Sequence, residues 1–172
     1  MRSAVTDTIE AILTRRSIRK YSGELISQEL IDDLLKAAMA APSAHNAQSW
    51  HFVLIDDHQI LDKVPEFHPY AAMLLEAPLA IAICGDTAVQ PDRWMLDCSA
   101  AAENMLLAAH ASGLGAVWVG IYPVSARIKD IKKLLDLPEH IMPLGLISLG
   151  YPGETKPPAN RYDPAKIHKN QW

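Results

Sequence analysis

Cysteine is scarce in this chain, with only Cys84 and Cys98 among 172 residues and no CxxC pair. That usage excludes a disulfide-built scaffold and fits a reducing compartment, the cytoplasm, with both thiols packed as small hydrophobes. Long apolar runs are missing as well. A stretch such as "APLAIAIC" (77–84) falls far short of the ~20 residues that span a bilayer, so no membrane crossing is expected. Asp7 and Glu10 stand where a secretory signal needs an apolar run, and export is not expected either. Positive charge is not in excess: 16 Lys and Arg face 20 Asp and Glu, a net charge of −4. A broad basic surface for nucleic acid is thereby disfavoured.

Several catalytic signatures are absent too. The histidines (45, 51, 58, 68, 110, 140 and 168) form neither HExxH nor a tight His/Cys cluster, which argues against a metal site. No G-x-S-x-G elbow occurs. "GLGAVWVG" (113–120) is glycine-rich but lies between a helix and a strand, the reverse of the dinucleotide-binding order, and its third glycine is misplaced.

What is present is ordinary globular material, 49% apolar and 21% charged, enough for a single domain over 1–172. A first helix is expected from Asp7 to Arg15, with Asp7 and Glu10 as a capping-box variant and Ile9, Ile12 and Leu13 as its buried face. A second starts at Ser27, with an Ile26–Ile31 staple, and runs until Pro42. Strands are expected at 49–56, 78–86, 115–120 and 143–151. Two short helical pieces broken by Pro65 and Pro69 fill 57–76. The longest helix covers 91–112 with Pro91 at its start, and its apolar residues surround most of the circumference. Another helix, closed by Pro138, carries Ile128, Ile131, Leu134 and Leu135. The tail from about 152 to 172 is proline-rich and polar, either disordered or an arm laid on something else. Helices and strands without regular alternation indicate α+β.

Two segments carry chemistry. "TRRSIRKYSGE" (14–24) packs Arg15, Arg16, Arg19 and Lys20 around Ser17. It reads either as a solvated helix end complementing the helix dipole or as a phosphate clamp of guanidinium groups and a hydroxyl. "APSAHNAQSWHF" (41–52) reads either as a polar turn or as a loop whose amides meet a flat heterocycle, since Asn46 and Gln48 each donate and accept.

"RRSIRKY", "PSAHNAQSWHF", "ENMLLAAHASGLGAVWVG" and "LGYPGE" follow one another in this order across nearly the whole chain. In that order they resemble the FMN-dependent nitroreductase family. The resemblance implies a central mixed, mainly antiparallel sheet flanked by helices, in a domain-swapped homodimer with a C-terminal arm and FMN in the subunit interface. It implies that Arg15, Arg16, Ser17 and Arg19 hold the FMN phosphate and ring edge. Pro42, Ser43, Asn46 and Gln48 would reach the cofactor from the partner subunit. Gly120 and Ile121 would run along the ring and bring a backbone N–H near flavin N5. A basic residue after the G-Y-P motif would close on the phosphate, Arg161 first and Lys156 behind it.

The implied activity is transfer of hydride from NAD(P)H to nitroaromatics, quinones or similar conjugated acceptors by a ping-pong scheme, with no catalytic side chain and no metal. A flavin carrier without turnover and a family variant doing reductive dehalogenation are the competing readings. Three departures stand out. Ser49 replaces a frequent proline, no lid-like insertion precedes the long helix, and only His68 and Tyr70 are offered to the flavin N1–O2 edge. No second basic cluster is visible for a 2′-phosphate, which favours NADH.

Overall fold

Four apolar runs build the sheet. The structure, a computed structural model, describes residues 7–172, so the first six residues of the expected single domain lie outside it. β1 (Trp50–Ile55), β2 (Leu79–Asp86), β3 (Gly115–Gly120) and β4 (Ile141–Gly150) lie in the order β1-β2-β4-β3. Each neighbouring pair is antiparallel. The parallel component is one isolated bridge, Ser17 to Ala116, where the chain after the first helix runs beside β3. Ile18 N–H donates to Ala116 O at 3.0 Å, which covers that edge of the sheet. Gly115 makes room for it, since an added Cβ would stand 2.6 Å from Ile18 Cγ2.

β2 is buried on both faces, as its unbroken apolar run requires. Its side chains alternate between two cores. Leu79, Ile81 and Ile83 enter one, closed by α2 (Gln28–Met39) and α5 (Trp94–Ala111). Ala80, Ala82 and Cys84 enter the other, together with residues from α3 (His58–Leu61), α4 (Val64–Phe67), the 3-10 turn Ala72–Leu75 and α6 (Ser125–Leu134). α2 starts where the sequence places it. The Ser27 hydroxyl accepts from Leu30 N–H at 3.4 Å, and Ile31, Leu34 and Ala38 face inward.

Three local expectations are corrected. α1 (Thr8–Thr14) is capped by Asp7, but Ile9, Ile12 and Leu13 are exposed and only Ala11 is buried. Among the described residues α1 packs chiefly on α5, and its apolar face is left uncovered. α5 starts at Trp94 rather than Pro91, because Asp86 gathers the N–H groups of Ala88, Val89 and Gln90 into a turn first. Residues 57–76 hold three short turns instead of two. Pro65 sits in the first turn of α4, where a missing N–H costs nothing.

Beyond β4 the tail first returns to the basic segment and then leaves it. Gly153 N–H donates to Lys20 O at 2.7 Å, and Tyr21 bridges Pro152. Residues 157–172 are exposed throughout, Tyr162, Ile167 and Trp172 among them.

Candidate functional site

The end of α1 and the strand-like stretch after it hold the basic knot. Arg15 is mostly buried, and its Nε lies 3.5 Å from Glu103 of α5. Arg16 donates from Nε to Pro157 O at 2.9 Å and from Nη1 to Leu13 O at 3.3 Å. Its Nη2 is buried and has no partner among the described residues. Lys156 Nζ donates to Ser17 O at 2.7 Å and pairs with Glu154 at 3.2 Å. The Arg19 N–H donates to Glu154 Oε1 at 2.6 Å and is the main reason that this carboxyl sits below its usual range.

Beside the knot, a recess of about 280 Å³ is lined by Arg16, Lys156, His110, Thr14 and Thr155, among others. Thr14 spends its hydroxyl proton on Glu10 O at 2.6 Å, so at the 2.9 Å His110 contact the ring Nε2–H is the donor. Burial, then Arg15 and Arg16, lower the His110 pKa and keep the ring neutral.

A larger cavity of about 700 Å³ opens further along β3. Arg19, Lys20, Tyr70, Trp118, Gly120 and Arg127 are among its walls. His68, also in that wall, is buried. Its Nδ1 accepts from Tyr70 N–H at 3.3 Å, so its Nε2–H donates to Gly120 O at 2.9 Å. Arg127 Nη1 donates to the same carbonyl at 3.3 Å. A Cβ added at Gly120 would meet nothing within 4 Å, so this strand end fronts open space. Ile121 is fully buried and its N–H is taken by Leu144 O at 3.1 Å, which leaves Gly120 as the member of the pair at the cavity.

The 42–48 loop lies elsewhere. Ala44 N–H donates to Asp97 near the start of α5, at 3.0 Å, whereas the knot touches His110 near its end. The thirteen-residue step from Asp97 to His110 spans about 20 Å of the helix, and Arg15 meets α5 midway, at Glu103. The loop is conformationally unusual: His45, Asn46 and Gln48 have φ of 56°, 54° and 49°. Non-glycine residues are held there only by surrounding bonds. Ser43 Oγ accepts from Gln48 N–H at 3.1 Å, and Asn46 Oδ1 from Gln48 Nε2 at 2.9 Å. Pro42, Asn46 and Gln48 are exposed.

The structure therefore gathers Arg15, Arg16, Ser17 and Arg19, sets Gly120 in the neighbouring cavity, and leaves Pro42, Ser43, Asn46 and Gln48 at the far end of α5. Arg161 lies exposed in the tail, and Lys156 is the tail cation that reaches the knot. Lys20 belongs to the basic stretch that the sequence singles out, whereas Arg127 and His110 are cavity residues that the sequence does not mark. Only the approach of α6 and α5 to β3 reveals them, and no spacing in the sequence does. Among the described residues no His, Cys, Asp and Glu group is placed to hold a metal, and no helix is long and apolar enough to cross a membrane.

The nitroreductase family model matches residues 12–67 and 64–151, and the chain belongs to that family. A relative from Methanothermobacter thermautotrophicus, provisionally named NADH dehydrogenase/NAD(P)H nitroreductase, is 48% identical over 168 residues, covering 96% of this chain and 88% of its own. The NADPH-flavin oxidoreductase of Vibrio harveyi is 30% identical, covering 98% of this chain and 75% of its own. The solved FMN-dependent nitroreductase of Clostridium difficile superposes with a TM-score of 0.90 at 34% identity, covering 95% of this chain and 99% of that one.

Proposed function

We propose that the chain is a single-domain FMN-dependent oxidoreductase that takes hydride from NAD(P)H and passes it to nitroaromatics, quinones or similar conjugated acceptors. The observation that carries this reading is the buried, unpartnered Nη2 of Arg16 beside Lys156. A buried guanidinium nitrogen without an acceptor is costly, and a phosphate oxygen is the group that suits it. The residues fit FMN: Arg15, Arg16, Ser17 and Lys156 for its phosphate, with Arg19 and Gly120 along its ring. FMN would supply the two-electron chemistry. The chain's own part is to bind and orient. Arg16 offers donors, Gly120 presents a strand end without a side chain, and His68 holds that strand end in place.

The loop residues Pro42, Ser43, Asn46 and Gln48 sit by the start of α5, at the opposite end of that helix from His110 and the recess. We read them as reaching the site of a second copy in a homodimer. The uncovered faces of α1 and of the tail, where Arg161 would close on the partner's side, support that reading. A cytoplasmic location rests on the buried free thiols of Cys84 and Cys98. One face serving both substrates in turn would give ping-pong kinetics.

The test is the absorbance spectrum of the purified protein, followed by anaerobic NADH. Two flavin bands that bleach are expected. Bands that persist with both NADH and NADPH would favour a flavin carrier. A colourless protein that refuses added FMN would return the basic knot to the role of a solvated helix end.

A further inference from the structure

Arg127 has no part in the reading so far. It lies in the first turn of α6, and its bond to Gly120 O ties the guanidinium to the end of β3. Lys20 comes to the same cavity from the segment beyond Ser17. With Arg19, the cavity wall carries three basic side chains against one carboxylate, Glu76. His68, the histidine in that wall, has both ring nitrogens engaged with backbone groups as the neutral ring. The cavity is thus locally positive inside a chain of net charge −4. Concave, partly apolar walls focus such a field on whatever enters.

Lys20 and Arg127 lie far apart in sequence, which is why no second basic cluster shows when the chain is read linearly. Arg19 is already assigned to the cofactor edge; Lys20 and Arg127 are not. Trp118, Tyr70 and Met73 supply a flat apolar surface in the same cavity. A guanidinium held at one nitrogen by a backbone carbonyl keeps its other donors in a fixed fork, a geometry suited to a carboxylate or phosphate.

We propose that Lys20 and Arg127 form an anion-recognition edge of this cavity, so that a substrate reduced or oxidised there is a flat molecule bearing a carboxylate or phosphate. The proposal rests on the reading of the cavity as the redox site. The anion has two possible sources, a carboxylate on the acceptor or a phosphate of the dinucleotide, and the test separates them.

Using FMN-loaded protein, kcat/KM is measured for 4-nitrobenzoate against 4-nitrobenzyl alcohol with one reductant, and for NADPH against NADH with one neutral acceptor. The variants are Arg127→Gln, Arg127→Lys, Lys20→Gln and Lys129→Gln. Lys129 lies exposed two positions further along α6 and removes the same charge away from the cavity. Arg127→Gln is expected to lower the acid-to-alcohol ratio ~10-fold, the effect of one charge-assisted hydrogen bond, with Lys restoring most of it. Lys129→Gln is expected to leave the ratio at the parent value. A fall in the NADPH-to-NADH ratio instead assigns the edge to a dinucleotide phosphate. Benzoate binding by titration calorimetry is a readout free of turnover, and Arg127→Gln is expected to weaken it ~10-fold. If NADH and NADPH both fail to reduce the flavin, the oxidoreductase reading falls while weakened benzoate binding still upholds the anion edge. Unmoved ratios with unchanged benzoate binding would overturn the anion edge, even in an active enzyme.

Discussion

Nη2 of Arg16 is the atom on which the cofactor reading turns. The neighbouring donors of the same guanidinium are matched to carbonyls of Leu13 and Pro157, so the side chain is held in place and its last nitrogen is not. Arg16→Ala is expected to weaken FMN binding to the apoprotein by ~10–100-fold, the loss of one buried charge-assisted contact, read by the quenching of FMN fluorescence. Lys at this position is not expected to restore the affinity, because an ammonium group lacks the planar fork. An FMN affinity unchanged in Arg16→Ala would move the phosphate away from this recess.

At the scale of elements, α5 acts as a spacer whose two ends hold different parts of the candidate site. Its start holds the strained loop through Asp97 Oδ1, which accepts from Ala44 N–H, and through Arg93 Nη1, 3.3 Å from His45 Nε2, while Asp97 Oδ2 and Ser49 Oγ are buried without partners among the described residues. Asp97→Ala is expected to cost about 1–3 kcal/mol of stability and to speed amide exchange over 44–48 while β2 stays protected. Equal exchange in parent and variant would show that the loop's own bonds suffice. The sequence told these elements apart where periodicity was strong: the two-sided apolar run of β2, the Ser27 cap and the all-round apolar α5. It misplaced the start of α5, because Pro91 is read by a local rule while the Asp86 turn that overrides it depends on side-chain bonds. It mistook Ile9, Ile12 and Leu13 for core because periodicity marks an apolar face without saying which chain covers it. The basic knot and the 42–48 loop were legible as motifs. The positive edge formed by Lys20 and Arg127 was not, since only the antiparallel return of β4 and the position of α6 bring it together.

For the whole molecule, burial of three acidic groups sets an upper pH limit. Desolvation raises Tyr21, Cys84 and Cys98 to about 12, from ordinary values of 10.0 for the phenol and 9.0 for the thiols. Tyr21 donates its proton to Ile18 O at 3.1 Å and meets Ser148 Oγ at 2.8 Å, so ionisation would strip a bond that fixes the basic segment to the sheet. All three are neutral when protonated and hold their protons more tightly folded than unfolded. Their contribution to stability is therefore complete below about 9, where the unfolded thiols keep their protons, and is lost as pH climbs towards 12. The urea midpoint is expected to be level from pH 7 to 8.5, with respect to these groups, and to fall steadily above it. A Tyr21→Phe, Cys84→Ala, Cys98→Ala triple variant, less stable at pH 7, is expected to show a shallower alkaline decline. A parent midpoint that stays level to pH 11 would mean that water reaches these groups in the folded chain, and the cores on the two faces of the sheet would then be looser than their packing implies.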